Sequence, residues 1–352
     1  MLMIDAHLDL AMNALTWDRN LDLGVHDLRK AEAGLSEKGR GQGTTSLPEM
    51  RRAEIVVCCA TLIDRTARPN SPAAGSACQE ISYAKAQGQL AYYRVLEAQG
   101  KARILTDWRS LQSHFMGWQK QGAVEPLGFI LSMEGADPIV WPEQVPSWWG
   151  DGLRVVSLSH YGVSAYAHGT GTDGGVTELG KALLREMDSV GMVLDVTHLS
   201  DQAFWEVLDI FEGPVLASHN NCRALVPGDR QFSDEQLKAV IGRGGVIGVA
   251  LDAWMLYPGW VKGETSNAVV SMEAVADQIT HICQVAGDAG HVGIGSDLDG
   301  GYGTEQCPRD LDTIADLQKI PDILRTRGLG EDDVEAIMHG NWLRFFQGAW
   351  NR

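Results

Sequence analysis

Apolar positions in this chain cluster in short runs separated by longer amphipathic stretches. Eight runs rich in β-branched and other apolar residues stand out: Leu2 to His7, Glu54 to Leu62, Leu127 to Met133, Leu153 to Ser159, Met192 to Thr197, Pro214 to Ser218, Val246 to Leu251 and His291 to Ser296. Each ends in polar residues or a turn signal, as strands do. Helical spacing fills much of what lies between, over Ala77 to Gln99, Glu178 to Val190, Asp201 to Phe211, Ser233 to Ile241, Met272 to Ala289 and Glu331 to Phe346. Such alternation predicts repeated βα units and a parallel sheet. An open doubly wound sheet has the same local pattern, but eight successive units without a dinucleotide fingerprint favour closure into a (β/α)8 TIM barrel, with added loops and a C-terminal helix, as one domain over residues 1–352. The Pro- and Gly-rich stretches Thr66 to Gly75 and Gly169 to Gly175 read as long loops after strands rather than linkers.

In such a barrel the reactive groups project from the C-terminal strand ends. Those ends are rich in metal-ligand types: His7 and Asp9 at the end of the first run, Glu134 after the third, His160 after the fourth, His198 after the fifth, His219 after the sixth and Asp297 after the eighth. Four of the ten histidines occupy this one rim position. His7 and Asp9 are two apart, so on a strand their side chains point the same way and reach one ion together. Glu134 precedes Gly135, which lets the backbone turn while the carboxylate, with its two oxygens, bridges two cations. Neutral imidazoles at His198 and His219 suit zinc as partners at a second ion. Taken singly, each of these residues is better read as an ordinary rim or loop polar group, but five ligand-type residues at four strand ends are hard to explain that way. Two ions sharing a carboxylate sit about 3.5 to 4 Å apart and acidify a bound water, the chemistry of paired-metal hydrolysis. Asp297 is the natural proton-transfer group, with a structural carboxylate or a third ligand as the alternatives. Asp137 reads as a loop or cap residue. The Asp297-Leu-Asp299-Gly stretch is not a calcium loop, because Gly301 replaces a needed oxygen ligand and no spaced terminal Glu completes it.

Composition narrows the function classes. Hydrophobic residues make up 44% and charged residues 21% of the 352, which is an ordinary globular balance and excludes disorder. A formal charge of −17, with 29 Lys and Arg, argues against nucleic acid as a partner. No basic, apolar and small-residue leader opens MLMIDAHLDLAM and no run of 18 apolar residues occurs, so a cytoplasmic protein without a membrane partner is expected. Six scattered cysteines fit reduced thiols, with Cys58 and Cys59 in the core. The Trp-rich segments Trp141 to Trp149 and Trp254 to Trp260 suit core packing, a pocket wall or a subunit interface, so a homodimer stays open.

In order along the chain, IDAHLDL, SMEGAD, VVSLSHYG, VTELGKALLREMDSVGMVLDVTHLS, SHNNCRAL, DRQFSDEQL, GGVIGV, GIGSDLDG and HGNWLRFF resemble the membrane dipeptidase, or renal dipeptidase, family of zinc peptidases among the amidohydrolase-like barrels. The resemblance implies two zinc ions per chain, with His7 and Asp9 on one, His198 and His219 on the other, and Glu134 between them. It also implies that His160 contacts the substrate carbonyl oxygen and its developing oxyanion, and that Arg230 receives the terminal carboxylate of a dipeptide, a role its planar guanidinium suits. Hydrolysis of short dipeptides, including those with a D-residue at the C-terminal position, by a metal-bridging hydroxide is the implied activity. Another small amide is the alternative substrate, and a non-catalytic binding homologue the alternative role. Two positions depart from the family pattern: Leu8 stands where Asn is usual, and Leu298 where an aromatic residue is common. Neither is a ligand, so the departures bear on substrate preference rather than metal chemistry.

Overall fold

The computed structural model describes residues 1–68 and 74–351. Among these, nine strands form one parallel sheet: β1 (Met3–Leu8), β2 (Ile55–Ile63), β3 (Ala102–Ile104), β4 (Leu127–Glu134), β5 (Leu153–Ser157), β6 (Val193–Asp195), β7 (Val215–Leu216), β8 (Ile247–Val249) and β9 (Val292–Ile294). They follow one another in the order β7-β6-β5-β4-β2-β1-β9-β8, and Ala217, just past β7, bridges in parallel to Ile247 of β8. The bridge joins the two ends of the sheet, so eight strands make the barrel that alternating βα units predict. β2 is apolar along nearly its whole length, including Cys58 and Cys59, because a strand walled by helices outside and side chains inside is buried on both faces.

All eight expected strands are present. β3 is the ninth and was not expected: three residues leave no periodicity to read. It pairs with Leu127–Phe129 of β4, below the stretch Leu131–Met133 that β5 takes on the same strand. The helix expected over Met272 to Ala289 ends at Ala286, because Gly287 takes a left-handed φ of 84°. The helix expected over Glu331 to Phe346 is interrupted by a π-turn at Ala336–Gly340 between Glu331–Glu335 and Asn341–Trp350. At that turn His339 Nδ1 meets the Leu2 carbonyl, Asn341 donates to the Ala289 and Val292 carbonyls, and Trp342 donates to that of Ile294. The wider turn thus coincides with side chains that close the bottom of the barrel. Within the expected loop Thr66 to Gly75, residues 69–73 lie outside the described residues; Thr66 itself pairs with Ser76. Trp148 is core, Trp141 is exposed and Trp254 lines the rim cavity described below. Among the described residues no helix is long and apolar enough to cross a membrane.

Closure requires close backbone approach. A Cβ on Gly295 would sit 1.7 Å from the Ser218 carbonyl oxygen, and one on Gly248 would sit 2.0 Å from the same atom. Because that neighbour is backbone, relief means moving a strand. Gly295→Ala is therefore expected to cost about 3 kcal/mol, the upper end for overpacking. Urea unfolding checks this, and a loss well under about 1 kcal/mol would show that the closing strands shift freely.

Candidate metal centre

The rim of the barrel collects the residues that the strand ends supply. His7 lies in β1, and Asp9 just beyond it immediately precedes helix Leu10–Thr16, its side chain making no capping hydrogen bond. Glu134 is the last residue of β4, and the following Gly135 turns with a φ of 82°. His160, His198, His219 and Asp297 follow β5, β6, β7 and β9. The three residues His198, Asp297 and Asp299 hold positive φ values of 67°, 57° and 62°, uncommon away from glycine and costing of order 1 kcal/mol or more each. The sharp turns aim His198 and Asp297 back over the barrel mouth, whereas Asp299 turns to Thr44, Thr45 and Arg19.

Glu134 is the hub. Its Oε1 lies 3.2 Å from both His198 Nε2 and His219 Nε2 and 3.6 Å from His160 Nε2, while Oε2 lies 3.7 Å from His7 Nε2. Oε1 is thus nearer His198 and His219 and Oε2 nearer His7, while the His7 and His219 rings themselves lie 3.7 Å apart between centroids. His7 Nε2 is also 3.8 Å from Asp9 and 3.7 Å from Asp297, and the His198 and His219 Nε2 atoms are 3.3 Å apart. Among the described residues, three overlapping groups have ligand atoms close enough to surround an ion: His7, Glu134 and His219; Glu134, His160 and His198; His7, Asp9 and Asp297. Overlap of this kind is what a shared, bridged pair of ions requires.

Whether these residues suit dications can be tested on their own chemistry. His7 Nε2 and Asp9 Oδ1 are buried with no hydrogen-bond partner, a costly state unless something else satisfies them. His198 Nδ1 lies 3.0 Å from Thr170 Oγ1 and His219 Nδ1 lies 2.9 Å from Ser218 Oγ, so both rings are held by their outer nitrogen and present Nε2 inward. Burial, reinforced by the charge of Arg230, holds His160, His198 and His219 well below the usual histidine pKa, so all three are neutral. Burial also disfavours charge on His7, but the carboxylates of Glu134, Asp9 and Asp297 outweigh it and lift its pKa to about 10. Glu134 is pushed up to about 7 by burial against the pull of His7, and Asp297 well above the carboxylate range by burial and by Asp9, Glu134 and Asp252. Neutral imidazoles and crowded carboxylates competing for positive charge form a donor set that fits bound cations.

Two further residues reach this centre. Arg230 is buried, donating 2.7 Å to Asn220 Oδ1 and 2.8 Å to the His219 carbonyl, and it lines the cavity of about 180 Å³ above Glu134. It is not a solvated loop charge. His160 Nδ1 is partnered by the guanidinium of Arg65, which can only donate. His160 must then carry its proton on Nε2, directed toward Glu134.

Arg65 and Asp252, both on the cavity wall, were not among the sequence candidates. Each follows a strand, β2 and β8 respectively, so counting the polar residues after those two ends as well would have found them. Asp137 is a loop residue as expected, though buried: its carboxylate takes the Thr66 N–H and hydroxyl and the Ala165 N–H. Asp299 is engaged by Thr44, Thr45 and Arg19, which leaves it no role as a calcium ligand. Leu8 and Leu298 pack into the hydrophobic core.

The chain is similar in sequence and fold to known proteins. A protein named dipeptidase aclJ from Aspergillus oryzae is 30% identical over 223 residues, 61% of this chain and 50% of that protein. The chain spans between 44% and 64% of the length of five such curated relatives. Among solved structures, a dipeptidase described as an M19 metallopeptidase superposes with a TM-score of 0.81 at 22% identity, covering 100% of this chain and 99% of that one. A metallopeptidase from Rhodobacter sphaeroides, bound to a phosphinate mimic of the dipeptide L-Ala-D-Ala, does so with a TM-score of 0.81 at 21% identity, covering 99% of each chain. At these identities the superpositions establish the fold. The sequence profile of the membrane dipeptidase family (peptidase family M19) matches residues 1–351, and the chain belongs to that family.

Proposed function

We propose that this chain is a binuclear zinc dipeptidase acting on short dipeptides, L-Xaa-D-Xaa among them. The observation that carries the reading is Glu134, whose two oxygens face His7 on one side and His198 and His219 on the other, beside the unpartnered His7 Nε2 and Asp9 Oδ1. His7 and Asp9 would hold one ion, His198 and His219 the second, and Glu134 both. When bound, the two ions supply Lewis acidity and lower the pKa of water toward about 7. His160 directs Nε2–H to the carbonyl oxygen of the scissile bond and stabilises the charge that develops there. Asp297 carries a proton to the leaving nitrogen. Arg230 receives the free terminal carboxylate, which confines cleavage to very short peptides.

A cavity of about 180 Å³ supports a small substrate, since pockets for drug-sized ligands run about 300 to 1,000 Å³. The phosphinate dipeptide mimic held by the Rhodobacter neighbour supports the L,D class. Six cysteines outside any disulfide are consistent with a cytoplasmic setting.

The test is elemental analysis and hydrolysis of an L,L and L,D dipeptide panel on one sample, before and after chelation. About two zinc ions per chain and chelator-sensitive cleavage are expected. A protein that holds no metal after reconstitution sinks the proposal, and two ions without dipeptide cleavage move it to other small amides.

Arg230→Lys gives a sharper check on substrate class. Losing the bidentate fork should lower kcat/KM on free dipeptides about 10- to 100-fold, the worth of one charged hydrogen-bonded contact, chiefly through KM. Dipeptide amides, already lacking the carboxylate, should be nearly unaffected. Equal losses on both would remove the carboxylate role from Arg230.

A further inference from the structure

Outside the ligand set lie two buried carboxylates in matched positions. Asp5 Oδ1 accepts the N–H of His7 at 3.2 Å and of Ser296 at 2.8 Å, and Oδ2 accepts the Ser296 hydroxyl at 2.5 Å. Asp195 Oδ1 accepts the N–H of Thr197 and of Ser218, both at 3.0 Å, and Oδ2 accepts the Ser218 hydroxyl at 2.5 Å. Each carboxylate thus ties its own strand end to the neighbouring one: β1 to the turn carrying Asp297, and β6 to the turn carrying His219. The second clip goes one bond further. Ser218 Oγ is also 2.9 Å from His219 Nδ1.

We propose that Asp195, acting through Ser218, is a positioning residue that sets the tautomer of His219. A carboxylate only accepts, so the single Ser218 hydroxyl proton goes to Asp195 Oδ2. Ser218 Oγ is left as an acceptor toward His219, whose neutral ring must then keep its proton on Nδ1. That leaves the Nε2 lone pair directed at Glu134 and His198, the form a metal requires. Three groups pass one hydrogen-bond direction inward, and all are buried, so water cannot supply a substitute donor or acceptor. Reversing the direction at Asp195 should therefore reverse it at His219. In Asp195→Asn the amide oxygen keeps the two backbone N–H groups, and the NH₂ takes the place of Oδ2 and donates to Ser218. The Ser218 hydroxyl then turns its proton to His219 Nδ1, the nearer of its two remaining neighbours at 2.9 Å against 3.4 Å for Thr197 Oγ1, and the ring proton moves to Nε2, where it opposes a cation.

The inference rests on the reading of His219 as a ligand, so the experiment separates the two. Long-range ¹H–¹⁵N spectra of histidine-labelled, chelator-treated protein report each ring's tautomer without any metal, and a competitive zinc titration of the same samples reports affinity. Wild-type His219 should be protonated on Nδ1 and Asp195→Asn on Nε2. Zinc affinity at one of two sites should fall about 10- to 100-fold, the usual effect of a ligand's outer partner. An Asp195→Asn protein that keeps the Nδ1 proton on His219 overturns the inference, even if wild type binds two ions. Wild type that binds none overturns the function and leaves the tautomer result standing. Should Asp195→Asn fail to fold, Ser218→Ala decides: loss of the Nδ1 preference supports the relay, and an unchanged tautomer overturns it.

Discussion

Glu134→Gln is expected to lower kcat/KM on dipeptides by on the order of 10³-fold, because under the proposed function it removes the carboxylate that would bridge two ions and forfeits several kcal/mol of metal-derived stabilisation. The same change should reduce retained zinc from two ions to one or none. Glutamine keeps one oxygen but puts an NH₂ where the second faces its ligands. In the structure Oε1 and Oε2 look toward different histidines at 3.2 to 3.7 Å, so an amide can serve one side alone and presents N–H protons to the other. Burial of the site magnifies the effect, since no bulk water stands in for the missing charge. Steady-state kinetics with metal analysis after dialysis measure both quantities. Two ions and activity within tenfold of wild type would show that Glu134 does not bridge.

Asp297→Asn should leave the metals in place and lower kcat by about 10²- to 10⁴-fold, the range for a lost general acid or base. Asparagine preserves shape, with an NH₂ donor in place of one oxygen, but cannot hold and release a proton. Burial and the neighbouring Asp9, Glu134 and Asp252 charges push Asp297 well above the ordinary carboxylate range, against the pull of His7, which favours its proton-holding form. Metal content discriminates between roles, because Asp297 Oδ1 is also 3.7 Å from His7 Nε2 and belongs to one ligand-capable group. If zinc is lost in step with activity, Asp297 is a third ligand rather than the proton carrier. If zinc stays and KM changes little while kcat collapses, the proton role holds.

The sequence by itself determined the barrel and most of its rim. Apolar runs bounded by polar residues became β1, β2 and β4 to β9, because burial on both faces of a barrel strand demands continuous apolar residues. Helix Glu178–Val190 matches its expected bounds, since Thr177 caps its start and Gly191 its end. Strand-end position alone put His7, Asp9, Glu134, His160, His198, His219 and Asp297 on one rim, a consequence of parallel strands sharing one C-terminal edge. Pairing was another matter. That His198 and His219 face the same Glu134 oxygen, that Arg65 fixes the proton of His160, and that Ser218 links Asp195 to His219 are contacts between strand ends and loops far apart in the chain. The short β3 and the π-turn at Ala336–Gly340 belong to the same class, being settled by the strands they meet. Local patterning records which face of an element is buried, whereas a hydrogen bond between distant residues depends on side-chain direction and barrel closure, which the assembled tertiary structure alone decides.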